Sequence, residues 1–398
     1  MNKLISETNT PRSLVTRVIL LLGGNLTLIS GASLSPAMPA MLREFGEIPG
    51  AVFWISMIIT LPALFVVIGG PITGFLTDRF GRKPILAATV LLCGISGSAG
   101  YFLTSIGPIL ITRALVGISM AGAMTATNAL IADYYEGQAR AKIMGIQAAV
   151  GGLGVVFFLP LGGILADIYW RFTFLAYLPL LLIFPLVVLF IDEPAKTNIG
   201  KEKIQKERLK VNFTIGYIFT AIFSTNFTFM TIPIFMAYFM TSLLGAGGLE
   251  IGLAGASSGI FSFIAGLIYE RVSRRVTNRN IAFLGFILFS VGFLIFGLGT
   301  SWLTIVLGQI ILGFCLGLTG SNLTNWLANE ISQSVRGRAN GIYFTMMFLG
   351  QFIASFIYSP IVQNFGFGSA YILSAVITGL TGLASLLIKK QGLPSIKS

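Results

Sequence analysis

The sequence predicts an all-α membrane protein: twelve transmembrane helices in two six-helix bundles, with the N- and C-termini cytoplasmic. Three observations carry that fold class. Of 398 residues, 55% are hydrophobic and only 10% are charged, against about 25% charged in soluble domains. Apolar runs of spanning length recur along the whole chain, and about 20 such residues in a helix cross about 30 Å of hydrocarbon. Finally, one charged turn occurs twice. Gly74-Phe75-Leu76-Thr77-Asp78-Arg79-Phe80-Gly81-Arg82-Lys83 is matched by Gly266-Leu267-Ile268-Tyr269-Glu270-Arg271-Val272-Ser273-Arg274-Arg275, with glycine, acid, arginine and basic pair in register. A turn used twice marks a duplicated unit.

The runs fall near 17–40, 51–76, 84–104, 107–132, 141–166, 171–191, 212–240, 250–270, 280–299, 302–328, 338–362 and 367–389. Each must be helical, because hydrocarbon offers no partner for an open backbone N–H or C=O. The first run follows Arg12 and Arg17 and ends in small residues, a pattern shared with cleaved signal peptides. The many similar runs behind it make it a retained span. High Gly and Phe content, 47 and 33 residues, suits closely packed membrane helices.

Orientation follows from the basic residues. With the N-terminus in the cytoplasm, every Lys and Arg except Arg43, Arg113 and Arg171 falls in a cytoplasmic turn, tail or linker. The net charge of +12 is therefore an orientation signal, with affinity for anionic lipid, and nucleic acid is not an expected partner. The one long charged stretch, 192–211, divides the chain into an N-terminal bundle (1–191) and a C-terminal bundle (212–398). Its alternating charges suit a tether or a short amphipathic surface helix. A second internal match supports the division: Arg140-Ala141-Lys142-Ile143-Met144-Gly145 and Arg336-Gly337-Arg338-Ala339-Asn340-Gly341 each follow the fourth run of their half.

Several classes of chemistry find no support. There is no histidine and so no imidazole to bind metal or to titrate near neutrality. Cys93 and Cys315 both lie in apolar runs, where a thiol acts as a small hydrophobe. No G-x-x-x-x-G-K-[ST] phosphate loop is present, nor any nucleophile–base pair or ligand cluster. Neither an enzyme nor a cofactor or metal is expected.

The first charged turn resembles the G-x-L-x-D-R-x-G-R-[RK] loop between the second and third spans of the major facilitator superfamily of transporters, and the twice-six arrangement is the architecture that this resemblance implies. In that family the aspartate latches the two halves together on the cytoplasmic side near the eleventh span. The resemblance assigns that gating role to Asp78, with Arg79, Arg82 and Lys83 in support and Gly74 and Gly81 allowing close approach. Glu270, Arg271, Arg274 and Arg275 stand at the matching places of the second turn. The physical basis is the exposed amides that begin a helix and the exposed carbonyls that end one.

Arg113 is the one charge well inside a run. Intramembrane arginine is costly and by default functional. Arg113-Ala114-Leu115-Val116-Gly117 resembles the R-x-x-x-G motif of the family's fourth span, which implies a part in proton transfer or in charge near the cavity; snorkelling toward the membrane surface is the alternative. The second half has Gln309 there. The acids all lie in loops or at span ends, and Asp133 and Asp167 are the candidates for proton coupling, beside Glu136. The fifth span carries Gly154 and Pro160-Leu161-Gly162-Gly163, candidates for helix bending and close packing. Drug antiporters of the family carry G-P-x-x-G-G here; in this chain Leu159 replaces the first glycine and the proline stands one residue nearer the glycine pair. Pro36 and Pro39 resemble the P-x-x-P end of the first span in twelve-span exporters, where many carry an acid in the helix; this chain has Asn25.

The family's cavity is lined by the first, fourth, seventh and tenth spans. The candidates for substrate contact are Asn25, Met120, Met124, Asn128, Asn226, Phe227, Met230, Asn322, Trp326, Tyr343 and Gln351. Methionines and rings with a few amides suit bulky, apolar or weakly polar ligands. The expected function is export of small lipophilic, drug-like compounds across a bacterial inner membrane by alternating access, as a monomer, with proton antiport as the driving force. A facilitator or importer of a metabolite, and a non-transporting sensor, are the alternatives.

Overall fold

The computed structural model describes residues 13–194 and 209–389. The tether or surface helix expected at 192–211 therefore falls mostly outside the described residues, as do most of the two tails. Among the described residues the regular structure is entirely helical. The first half holds α1 (Leu14–Gly23), α2 (Leu26–Leu34), α3 (Met38–Phe45), α4 (Ala51–Phe80), α5 (Arg82–Ala99), α6 (Ile106–Tyr134), α7 (Gly137–Ile168) and α8 (Leu178–Phe190). The second holds α9 (Phe213–Phe229), α10 (Thr231–Leu244), α11 (Gly248–Ser273), α12 (Asn278–Gly297), α13 (Trp302–Glu330), α14 (Arg336–Phe365) and α15 (Phe367–Ser385). Among the described residues, 11 helical stretches are long and apolar enough to cross a membrane, α9 with α10 counting as one.

The first expected span, 17–40, is not one helix but a broken one. The Gly23-Gly24-Asn25 step ends α1, and a 3₁₀ turn at Ser35–Ala37 joins α2 to α3. Pro36 supplies no amide to an α-helical bond, which favours the tighter turn. Asn25, expected to meet substrate, repairs the first break. Its backbone amide bonds the Leu22 carbonyl, and its side chain donates to the Leu21 carbonyl at 2.8 Å and to the Gln147 carbonyl of α7 at 2.9 Å. An orphaned carbonyl is thus satisfied and α1 is tied to α7. The fifth span behaves oppositely: α7 runs unbroken through Pro160.

Each half packs by the same plan. In the first, α4 and α5 lie on α6, and α8 lies on α5; in the second, α11 and α12 lie on α13, and α15 lies on α12. A glycine that the repeat shares makes a close backbone contact in each half. Gly117 of α6 presses on the backbone of Pro62 in α4, and Gly313 of α13 on that of Ser258 in α11. The halves meet along α4–α14 and α7–α11, with α3 and the 3₁₀ turn against α10.

These inter-half contacts are closest at the end of the molecule away from the basic turns, called the far end below. There, Gly163 of α7 and Gly248 of α11 touch backbone to backbone, and a Cβ on Gly252 would come within 2.5 Å of the Leu159 carbonyl oxygen. Thr60 of α4 bonds Ser355 of α14 at 2.7 Å, and Phe53 packs edge-on to Phe356 with centroids 5.0 Å apart. Toward the basic end the same pairs separate: a Cβ added at Gly70 or Gly74 of α4, Gly145 of α7, Gly266 of α11 or Gly341 of α14 would meet no atom within 4 Å.

A second far-end cluster holds the first half together. Glu44 accepts bonds from Arg171 at 2.7 and 3.2 Å and from the Trp170 indole at 2.6 Å. Arg171 also bonds the Leu103 carbonyl and lies 4.4 Å from the Trp170 ring centroid. Burial alone would push the Glu44 carboxyl up, but the Arg171 and Trp170 hydrogen bonds and the Arg171 charge hold it below its ordinary value of 4.5. Its stabilising contribution is present above that ordinary value and is lost as pH falls through the lowered one. Thermal unfolding in detergent at stepwise lower pH is expected to show the wild-type midpoint falling in this acid range and the Glu44→Gln midpoint, lower at neutral pH, falling less. The effect is small, because the carboxylate is 38% exposed and solvent screens it.

Candidate functional site

A cavity of about 350 Å³ lies between the halves. The first half supplies Ala32, Ser35, Pro62, Met120 and Leu159; the second supplies Asn226, Phe229, Met230, Met236, Met347 and Gln351. Among the described residues no titratable side chain lines it, and its polar side chains are Ser35, Asn226, Ser258 and Gln351. Gln351 donates to the Asn226 side-chain oxygen at 3.2 Å, and Asn226 donates to the Ile222 carbonyl at 3.0 Å. The break between α9 and α10 forms part of this wall. Pro233 has no N–H to offer the Phe229 carbonyl four residues back, so the helix loosens where it faces space rather than lipid.

From this cavity a cleft of about 520 Å³ continues toward the basic end between α4, α6 and α14, sharing Val66 and Phe348 with it. Its walls include Pro71, Met124, Thr125, Asn128, Phe344 and Thr345, and Arg338 is the titratable residue on its lining. At the far end, by contrast, the seam of α7 on α11 and the α3–α10 contact lie over the cavity. The molecule is closed at one end and cleft at the other.

The expected gating turn is built at the cleft end. Gly81 has φ 103°, in the left-handed region, and ends α4. A Cβ there would sit 2.6 Å from a carboxylate oxygen of Glu193, so the position requires glycine twice over. Glu193 accepts the backbone amides of Arg82 and Lys83 at 2.8 and 2.7 Å, capping α5. Arg82 pairs with Asp133 at 3.0 Å, and Arg79 lies 5.4 Å from the Phe80 ring centroid. Asp78 is exposed and has no hydrogen bond or ion pair among the described residues. In the second turn Glu270 pairs within its own helix with Arg274 at 2.6 Å, while Arg271 and Arg275 border a shallow surface pocket.

The sequence-predicted residues divide clearly. Met120, Asn226, Met230 and Gln351 line the cavity, and Met124 and Asn128 line the cleft. Phe227 instead stacks on Tyr358 at 4.8 Å. Asn322 is fully buried and donates to the Asn278 carbonyl, Trp326 is buried and donates to Glu330, and the Tyr343 hydroxyl meets Thr324. By these contacts Phe227, Asn322 and Tyr343 hold helices of the second half together, and Trp326 does so through its ring, 5.8 Å from that of Tyr217 in α9. Arg113 is fully buried but lines neither cavity nor cleft. Its guanidinium donates to the Ser96 and Gly97 carbonyls and to the Tyr177 hydroxyl, with the Phe174 and Tyr177 ring centroids at 5.0 and 5.1 Å. It neither snorkels nor faces the cavity: carbonyls and π-faces take the place of a carboxylate and join α6 to α5 and to the 3₁₀ segment Trp170–Tyr177 that leads into α8. Gly162 and Gly163 serve close approach, to Ser33 and to Gly248, and Gly154 is half-buried in an unbroken helix. Asp167 accepts the Gly248 and Leu249 amides at 2.6 and 2.8 Å.

Three residues are not marked by the sequence pattern that found the others. Glu193 has a usable signal, an acid followed by proline where the sixth run ends. Leu159 stands out in the sequence only as the replacement of a glycine, and Ser355 has no signal, because which face of a uniformly apolar helix meets the other half is not written in its hydropathy.

The family model of the Major Facilitator Superfamily matches residues 20–238 and 218–397. The chain is 23% identical to the tetracycline resistance protein, class H, of Pasteurella multocida over 95% of this chain and 97% of that one. It is 24% identical to the quinolone resistance protein NorA of Staphylococcus aureus over 91% and 93%. Among solved structures, a D-xylose–proton symporter superposes with a TM-score of 0.79 at 17% identity, over 93% of this chain and 96% of that one, which concerns the fold alone. With both matched regions together spanning nearly the whole sequence, this multi-pass membrane protein belongs to the Major Facilitator Superfamily of transporters.

Proposed function

We propose that this protein exports small lipophilic compounds by alternating access across the cell membrane, acting as a monomer. One observation carries the reading: an apolar, methionine- and phenylalanine-rich cavity between the two halves, with two hydrogen-bonded amides and, among the described residues, no titratable side chain on its lining. Such a wall favours bulky ligands with little formal charge, since a sugar wants many more hydrogen bonders and an organic anion wants a cation. The resistance proteins among its relatives support the drug-like class.

In this reading the broken stretch 17–40 is the first of twelve spans, residues 1–191 and 212–398 form the two six-helix halves, and both termini are cytoplasmic. The cleft then opens to the cytoplasm, and the closed far end faces outward. Asp78 is the latch for the opposite state. Exposed and without a side-chain bond among the described residues, it lies in the last turn of α4, at the end of the molecule where α14 begins with no side-chain cap. When the cleft closes, that carboxylate and those amides come together.

Proton antiport is the driving force in this reading, carried by carboxylates at span ends, Asp133 foremost. A second reading, an uncoupled facilitator, is favoured by the lack of a titratable group among the described residues of the cavity lining. Proteoliposomes with a trapped pH dye, challenged with tetraphenylphosphonium, neutral lipophilic drugs, amino acids and xylose, decide between them. Export by antiport predicts proton movement with the lipophilic compounds only; labelled compound crossing without proton movement supports the facilitator, and flux of xylose or amino acids alone defeats the export reading in favour of a metabolite carrier.

Two substitutions extend the test. Gln351→Ala is expected to weaken binding of the best neutral substrate by about threefold to tenfold, the worth of one hydrogen bond, measured by equilibrium binding; unchanged affinity would remove the amide pair from the site. Asp78→Asn should leave that affinity intact and slow turnover severalfold, measured as initial flux, whereas unaltered flux would dismiss the latch.

A further inference from the structure

The two oxygens of Asp167 take two of the first free amides of α11, Gly248 at 2.6 Å and Leu249 at 2.8 Å. Asp167 stands one residue before the end of α7, in the first half, and α11 belongs to the second. A third amide at this helix start, that of Gly247, is taken by Glu250 of α11 itself at 2.9 Å. A carboxylate at a helix N-terminus satisfies orphaned donors and meets the positive end of the helix dipole. Here the capped helix and the capping acid are on opposite sides of the inter-half seam.

The local geometry is made for that contact. Gly163 and Gly248 let the two backbones touch, and a Cβ on Gly248 would fall 2.9 Å from an Asp167 oxygen. Only a residue without a side chain admits the carboxylate there. The relation also repeats the one proposed for the other end of the molecule. Asp78 ends α4, whose antiparallel partner across the seam is α14; Asp167 ends α7, whose partner is α11. Each acid stands in the last turn of its helix, at the end of the molecule where its antiparallel partner begins. In the present state, cleft at the basic end, Asp167 is engaged, and among the described residues Asp78 has no partner.

We propose that Asp167 is the latch of the far end: it holds the cavity shut on that side by capping α11 across the seam, and it must release those amides each time the cavity opens there. The proposal deepens the alternating-access reading and rests on it for the claim that the two halves separate. Asp167 is a positioning residue and touches no substrate. Because it is exposed, water replaces the two bonds when they break, so the latch biases the equilibrium without locking it.

Cysteine accessibility tests this without any substrate. In the full chain, held in lipid nanodiscs so that both faces are reachable, one reporter is Ala37→Cys, fully buried in the 3₁₀ turn packed on α10 at the far end. The other is Thr345→Cys on the cleft wall. Both native cysteines are buried and serve as the background control. With Asp167→Ala, labelling of the far-end reporter by a membrane-impermeant maleimide is expected to rise about threefold to tenfold, the range of a lost cap, while labelling of the cleft reporter falls. Asp167→Asn, isosteric and still able to accept one amide, should give a smaller shift in the same directions. Unchanged far-end labelling overturns the proposal, and so does a rise at both reporters, which would mean loosened structure rather than a moved equilibrium. Opposite shifts in a protein that transports no drug would leave the latch standing and count against the export reading alone.

Discussion

Hydrocarbon accepts no hydrogen bond, and that constraint shapes every feature of this molecule. A chain that crosses it must close its backbone bonds within helices. Where a helix is interrupted, other protein groups have to answer for the freed carbonyls. The Asn25 side chain does so at the Leu21 carbonyl, and the α9–α10 break at Met230 faces the cavity rather than lipid. The first of these breaks is sealed inside the first half, and the second lies on the wall of the cavity between the halves.

The same constraint governs the charges. Arg113, sealed inside the first half, is balanced by backbone carbonyls and aromatic rings. The acids that do most stand at span ends against helix amides: Glu193 on α5 and Asp167 on α11. A carboxylate on exposed amides gives a bond strong enough to favour one arrangement and, being close to water, weak enough to be exchanged. Such bonds can cross the seam where a buried ion pair would be costly both to form and to break.

Close backbone contact completes the design. Glycines on α7 and α11 bring the halves together at the far end, and those nearer the basic end of the same helices stand in open space. Rigid halves joined along two helix pairs can exchange these contacts by rocking, with the apolar cavity between them. In the proposed export reading the cavity needs few polar groups, since a lipophilic guest would be oriented by shape and by the amides of Asn226 and Gln351.

Much of this was determined by sequence alone. Composition set the membrane class, run length set the helices, and the duplicated turn and basic pattern set the repeat, because each depends on residue type and spacing rather than on neighbours in space. The family followed from the turn at Asp78. The break in the first span was foreshadowed only by Gly23, Gly24 and the two prolines, and a hydropathy window averages over such a step. Tertiary structure alone decided which way side chains point. Arg113 and Asn25 turn toward other helices, Asn322, Trp326 and Tyr343 bind their own half together, and Asp167 reaches across the seam. In a helix apolar on all sides no hydrophobic stripe marks the inward face, so only the packing of one helix on another can choose among its faces.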